Sequence, residues 1–396
     1  MPPELHAVLS PSSAIRWAIH CPPSARLGEK FRERFGDAGS PFARRGTKAH
    51  ALAELKLRKE IGEINDFTFK AMRKDLEESA PDLDWKDLDW STNVYVDHVM
   101  SRYYEAKKES ADAILLVEQK YDITDFAPGC FGTSDATIVS DKVLVVMDYK
   151  AGIGVPVSAV ENPQTRLYGL GATVYWQCLY SFERIENHII QPGRDNISVE
   201  ELSKEDLLAW GESIKPNAQL AWEGKGEYDA GEWCKFCPAR ALCYHRAVKA
   251  MTIFQGGLDT PGVIPDEEIP KILEVADVAE AWLKDIKDYA RSQALKGQQW
   301  PNFKLVEGRK PPRKWTSEDA VVDQLSRAGY SDDQIYKKSL ISVGDAEKLM
   351  GKQAFRAVLG QFSTQGSGAL TLVPESDKRP AINSAETAFS DLLEDT

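Results

Sequence analysis

Four of the six cysteines stand in a pattern that joins the two ends of a domain. Cys21 lies near the start, and Cys234, Cys237 and Cys243 form a C-x2-C-x5-C cluster far downstream. A metal or cluster held by all four brings these segments together, so the residues between them must fold into one body whose ends meet. Closing so long a loop is entropically costly, and bound metal offsets that cost. Six cysteines in 396 residues are too few for a disulfide scaffold, and a tight C-x2-C pair reads as a ligand set. Cys130 and Cys178 sit in apolar sequence and read as buried thiols. Four thiolates suit either zinc or an iron–sulfur cluster. With Cys21 left out, Cys234, Cys237, Cys243 and His245 would make a Cys3His zinc site from local sequence alone.

At 42% hydrophobic residues the chain can bury one large domain with a smaller one appended. No stretch approaches the roughly 20 apolar residues that span a bilayer. The start, MPPELHAVLS, lacks the basic-then-apolar pattern of a secretory signal, so the cytoplasm is the expected compartment. A formal net charge of −12 argues against coating nucleic acid with the whole surface. It leaves room for a local groove: residues 11–60 carry 11 Lys/Arg against 5 Asp/Glu, including Arg44, Arg45 and Lys48. Any one of these is as apt to lie on a solvated helical face.

LSPSSAIRWAIHCPPSARL predicts a short helix opened by Ser10 or Ser12 and closed by Cys21-Pro22-Pro23, because proline cannot continue the hydrogen-bond ladder. In KAHALAELKLRKEIG, Thr47 reads as the N-cap, which puts His50 in the first turn, one turn before Glu54. After a helix over 93–110 the pattern turns to β. AILLVEQKYDI, FGTSDATIV and KVLVVMDYK, the last two joined at Ser140-Asp141-Lys142, predict an antiparallel meander. Asn162-Pro163 opens a long apolar helix, and a strand over 187–191 and a helix over 204–210 precede the cysteine trio. The expected domains are 1–252, bracketed by the cysteines, 253–380, mostly helical with a basic loop GRKPPRKW, and 381–396, an acidic disordered tail.

Chemistry concentrates in the middle. Asp148 and Lys150 lie two apart on one strand and so share a face, and the hairpin brings Asp135 across from them. Two carboxylates converging at a sheet edge repel unless a hard cation sits between them, and Mg²⁺ or Mn²⁺ suits such an oxygen-rich site. That ion would polarise a phosphoryl oxygen and activate water, with the Lys150 ammonium neutralising developing charge. His50 offers a further ligand. Gln164 and Tyr168, at i and i+4 on the next helix, can bond the site and stack on a base. Each piece alone is weak: D-x-K arises by chance, and a lone His or Tyr usually packs. The order carries the reading.

That order, from His50 to Tyr168, resembles the PD-(D/E)XK nuclease superfamily and its RecB-like branch. The split cysteines are similar to those of its iron–sulfur members, such as the AddB-type nuclease and the exonuclease of CRISPR spacer acquisition. SPSSAIRWAIHCPPS, GTKAHALAE, ENPQTRLYGLGA and LVPESDKRPAI also resemble a phage and prophage family known only as a domain of unknown function. The resemblance implies an α/β fold: a restriction-endonuclease-like core with a central mixed sheet flanked by helices, an iron–sulfur staple and a helical C-terminal extension. It implies a Mg- or Mn-dependent deoxyribonuclease, an exonuclease or flap and end-processing enzyme of replication or recombination. Asp135, Asp148 and His50 would be metal ligands, Lys150 the catalytic lysine, with Gln164 and Tyr168 completing the site. Cys21, Cys234, Cys237 and Cys243 would hold a structural [4Fe–4S] cluster, favoured over zinc on the CPP and C-x2-CPA-x3-C contexts. Ser134-Asp135 replaces the family's Pro-Asp dipeptide, leaving the carboxylate in place. Glu118, in the preceding strand, is a weaker candidate, as apt to be a flanking charge as a ligand. DNA is the expected partner, no membrane is, and a helicase or recombination partner would be a separate polypeptide, since no G-x4-GK-[ST] loop occurs. The competing expectation is a non-catalytic DNA- or protein-binding module that keeps the fold, against which Asp135, Asp148 and Lys150 together weigh.

Overall fold

Three consecutive runs rich in β-branched and aromatic side chains become adjacent strands: β1 (Ile114–Asp122), β2 (Phe131–Val139) and β3 (Val143–Tyr149). In the computed structural model, which describes residues 7–35, 41–255, 266, 269–306, 317–336 and 341–363, they pair antiparallel in sequence order, as the meander predicts. Ser140 ties the β2–β3 turn: its N–H donates to the Val143 carbonyl at 3.0 Å, and its Oγ accepts the Val143 N–H at 3.2 Å. β4 (Arg184–Gln191) lies parallel to β3, and β5 (Asn196–Ser203) antiparallel to β4. The result is a mixed five-stranded sheet in the order β1-β2-β3-β4-β5. β3 is buried throughout, as its unbroken apolar run requires of a strand with helices on both faces. β5 was not expected, because NISVEELS alternates only briefly among charges. It forms an edge, with Ile197 and Val199 exposed.

One face of the sheet is covered by α2 (Pro41–Glu60) and α4 (Trp85–Glu109), which pack Ala49, Leu52, Tyr95 and Val99 onto Val143, Val145, Met147 and Tyr149. The other carries α5 (Pro163–Trp176) and α6 (Lys204–Glu223), where Leu167, Leu170 and Leu207 meet Leu144, Val146 and Ile185. α5 starts as predicted: the Asn162 side chain accepts the Gln164 N–H at 3.0 Å, and Pro163 takes the first helical position. It lies directly on β1, since a Cβ on Gly171 would fall 2.7 Å from Tyr121 Cβ. α3 (Asp66–Glu78) packs against α2.

The helix holding His50 differs from expectation. It begins at Pro41, so Thr47 is interior and His50 lies mid-helix. Thr47 does not cap; its Oγ1 donates back to the Ala43 carbonyl at 3.1 Å, a local bond that lets threonine sit inside a helix. Upstream, the short helix ending at Cys21 is a 3₁₀ turn (Pro11–Ser13) followed by a π-helical turn (Ile15–His20), which the Cys21 N–H closes onto the Arg16 carbonyl at 2.6 Å. α1 (Ser24–Phe35) follows the two prolines.

The chain forms two compact units, Met1–Gln298 and Gln299–Thr396. The first includes α7 (Tyr244–Gln255) and α8 (Ile269–Leu295), and α8 is locked to the cysteine segment by Asp285, which pairs with Arg240 at 3.0 Å and Arg246 at 2.5 Å. In its described residues the second holds α9 (Glu318–Arg327), α10 (Asp332–Ile335), α11 (Val343–Met350) and α12 (Lys352–Val358). GRKPPRKW and the tail 381–396 lie outside the described residues. No described helix is long and apolar enough to cross a membrane.

Candidate active site and cysteine centre

Strand register brings three carboxylates into one row. Val117 stands opposite Ala136 and Gln119 opposite Ser134, so Glu118 and Asp135 meet between those pairs. On the other side the ladder ends with Ala136 opposite Met147, and the next residues are Asp135 and Asp148. Here β2 and β3 part, and Asp135 Oδ2 accepts the freed Tyr149 N–H at 2.7 Å. Glu118 has φ +53°, the left-handed region, within β1. A non-glycine residue held there costs on the order of 1–3 kcal/mol, and such strain gathers at functional sites. One ligand atom from each of His50, Glu118 and Asp135 lies within 4.8 Å of the other two, so the geometry favours the ligand reading of Glu118 that its sequence context left even with a flanking charge.

Groups from both helical layers converge on this row. From α2, His50 Nδ1 lies 3.0 Å from Asp135 Oδ1. From α5, Gln164 Nε2 donates to Asp148 Oδ1 at 2.9 Å, while Gln164 Oε1 accepts from Lys150 Nζ at 3.0 Å. Tyr168 Oη is 3.3 Å from Gln164 Nε2. Lys150 Nζ stands 2.8 Å from Asp148 Oδ2, an ionic contact; that oxygen is buried and receives no well-aligned hydrogen bond. Tyr149 points the other way as expected, stacking on Tyr95 and sharing a 2.6 Å hydrogen bond with Ser91.

The electrostatics describe an anionic pocket in want of a cation. Burial, reinforced by Asp135 and Glu54, pushes the Glu118 carboxyl up to about 8. Burial likewise raises Asp148, with Lys150 opposing and Asp135 adding. His50 is raised to about 9: burial works against its charge, and Asp135 overrides it. Lys150 is raised because Asp148 and Asp135 outweigh its burial. Protons on these groups neutralise what a divalent ion would neutralise better, and the imidazole-plus-carboxylate set suits Mg²⁺ or Mn²⁺. His50, Glu118 and Asp135 are the residues whose ligand atoms fit one; Asp148, expected as a ligand, is not among them, its two oxygens being engaged by Gln164 and Lys150.

The basic residues near the start of α2 serve the fold first. Arg44 pairs with Asp82, and Lys48 Nζ donates to Ser79 Oγ at 2.7 Å. Arg45 pairs with Asp87 at 2.6 Å and also donates to the Ala151 carbonyl, so it fixes the loop that follows Lys150. Sequence reasoning missed that role; nothing in the spacing of Arg45 and Ala151 signals it.

The split cysteines do meet. Cys21, Cys234, Cys237 and Cys243 line one small cavity together with Arg16 and His245. His20 stacks on Trp233 at 3.5 Å, holding the π-helical turn against the 3₁₀ turn Glu232–Phe236 that carries Cys234. Burial pushes the Cys21 thiol up to about 11 and raises Cys234 and Cys237, so a metal is needed to draw the thiolates out. Four sulfurs on one zinc at about 2.3 Å lie about 3.8 Å apart. Among the described residues no three of these cysteines and His245 bring ligand atoms within 4.8 Å of one another. Of the other two cysteines, Cys130 is buried as expected, but Cys178 is exposed, at the frayed end of α5.

A solved structure described as "Crystal structure of SSO0001" is similar at 15% identity and a TM-score of 0.21, covering 49% of this chain and 94% of its own. The likeness that spans the chain is to a family: residues 6–380 match the one described as "Protein of unknown function (DUF2800)", and the chain belongs to it.

Proposed function

We propose that residues 1–298 form a PD-(D/E)XK-type nuclease that hydrolyses DNA phosphodiesters with Mg²⁺ or Mn²⁺, stapled by an iron–sulfur cluster on Cys21, Cys234, Cys237 and Cys243. The observation that carries this reading is the convergence, from three strands and two helices, of Glu118, Asp135, Asp148 and His50 beside a lysine that Gln164 holds in place. A helix, a three-stranded meander and a crossover helix carry those groups, and the next strand lies parallel to β3, an order that supports the resemblance.

When bound, the ion supplies Lewis acidity toward a phosphoryl oxygen and lowers the pKa of water. The chain's own residues do the rest. Gln164 bridges Asp148 and Lys150, fixing the ammonium, and Asp148 and Asp135 keep it charged. Lys150 then stabilises charge developing on the phosphoryl group. Asp135, held by the Tyr149 N–H, orients His50. The four cysteines line one cavity, and their CPP and C-x2-CPA-x3-C contexts favour a cluster over a lone zinc.

The test is cleavage of end-labelled single- and double-stranded DNA by protein purified without oxygen. Cutting should require Mg²⁺ or Mn²⁺ and should vanish in Asp148→Ala. If wild-type protein cuts without divalent cation, or Asp148→Ala cuts as well as wild type, the reading fails.

A further inference from the structure

The N-terminal turn, α1 and Phe236 enclose a second cavity, of about 410 Å³, in the size range of small-ligand sites. Among apolar walls its polar lining is hydroxyl and guanidinium, with Ser10, Ser12 and Ser24 beside Arg16 and Arg32, and no acidic residue lines it. Among the described residues neither arginine side chain has an ion-pair or hydrogen-bond partner, in a chain with 61 Asp/Glu against 49 Lys/Arg. Arg16 is drawn below its ordinary value by burial, and Arg32 adds to this by like-charge repulsion while the cysteines oppose it. Ser24 is 6% exposed, and its Oγ has no hydrogen-bond partner. Arg16 and Ser24 stand on the wall this cavity shares with the cysteines, while Arg32 faces this cavity alone; guanidiniums beside an orphaned hydroxyl are what a tetrahedral oxyanion satisfies, since it accepts hydrogen bonds from all of them. The volume exceeds that of an oxyanion alone, and Phe236, 73% exposed at the rim, offers a face for a base.

We infer that this cavity is a phosphomonoester site, seating the phosphate of a nucleotide on Arg16, Arg32 and Ser24 with its base against Phe236. The ligand chemistry has two sources, a free mononucleotide or the phosphorylated end of a DNA strand. The site stands whether or not the carboxylate row cleaves, so it is tested without divalent cation.

The full chain is titrated calorimetrically with a deoxynucleoside 5′-monophosphate, the bare deoxynucleoside, and one oligonucleotide bearing either a 5′-phosphate or a 5′-hydroxyl. At least one phosphorylated ligand should bind about tenfold or more tightly than its unphosphorylated partner. Preference confined to the monophosphate assigns a free nucleotide; preference at the oligonucleotide assigns a strand end. Arg32→Gln should erase the difference with melting temperature and iron content unchanged, and Phe236→Ala should weaken nucleotide binding while leaving the Arg32 dependence. The inference is overturned if wild-type protein does not discriminate phosphorylated from unphosphorylated ligands, or if Arg32→Gln discriminates as wild type does.

Discussion

Replacing Glu118 by glutamine isolates the charge that makes the carboxylate row unstable alone. In the native protein its carboxyl is pushed from an ordinary 4.5 to about 8, chiefly by burial and then by Asp135 and Glu54. An acid raised in this way holds its proton more tightly when folded. The stability it contributes is full below about pH 4.5 and is lost as pH climbs through about 8. By pH 7 roughly 2.5 units of that window are crossed, about 3.5 kcal/mol at about 1.4 kcal/mol per unit. His50, charged by the same carboxylates up to about 9, returns part of this in the wild type. A net gain on the order of 2 kcal/mol, or roughly 3–6 °C in melting temperature, is therefore expected for Glu118→Gln at pH 7 in divalent-free buffer. It should vanish near pH 4. Mn²⁺ should reverse the ranking, because binding at about 100 times Kd adds about 2.7 kcal/mol to a protein that holds the ion and little to one that lacks the ligand. Denaturant titrations across this pH range, with and without Mn²⁺, measure both effects. Glu118→Gln no more stable than wild type at pH 7, or an equal response of both proteins to Mn²⁺, would refute the assignment of Glu118 to a cation site.

Two further substitutions probe the supports. Cys21→Ala should lower iron from about four per chain to near none and destabilise the whole first unit, whereas His245→Ala should leave iron in place, both read by metal analysis and thermal melting. Gly132→Ala should cost about 1–3 kcal/mol and reduce cleavage, because the added Cβ would fall 2.6 Å from Tyr168 Cε1 and 2.8 Å from Pro11 Cγ; denaturation and rate measurements on the same sample check it.

The strands that carry the site were legible because their runs of β-branched and aromatic residues are local and strong, and two-residue spacing placed Asp148 and Lys150 together without a fold. The α5 start was legible for the same reason: asparagine then proline encodes a cap. Less legible were features set by partners distant in sequence. The helix of His50 starts at Pro41, and the threonine read as its cap lies inside it, bonding back to Ala43. Glu118 was legible only as a weaker candidate, because the left-handed backbone and the approach of His50 and Asp135 that favour it are not announced by the glutamate or its neighbours. β5 is held by its pairing to β4, and Arg45 reaches Ala151 across the fold. The cysteines were readable as a set, but their spacing around a cavity needed coordinates.

On the proposed mechanism, cation binding and the lysine are separable parts of one hydrolytic site. The most direct test is a paired measurement on Lys150→Ala: Mn²⁺ occupancy by electron paramagnetic resonance and cleavage of end-labelled DNA on the same sample. Occupancy should match wild type while cleavage falls about 10²–10³-fold or more, since the ligands remain and the charge-stabilising ammonium is gone. Cleavage at the wild-type rate, or a wild-type protein that holds Mn²⁺ and leaves every DNA substrate uncut, would contradict the account.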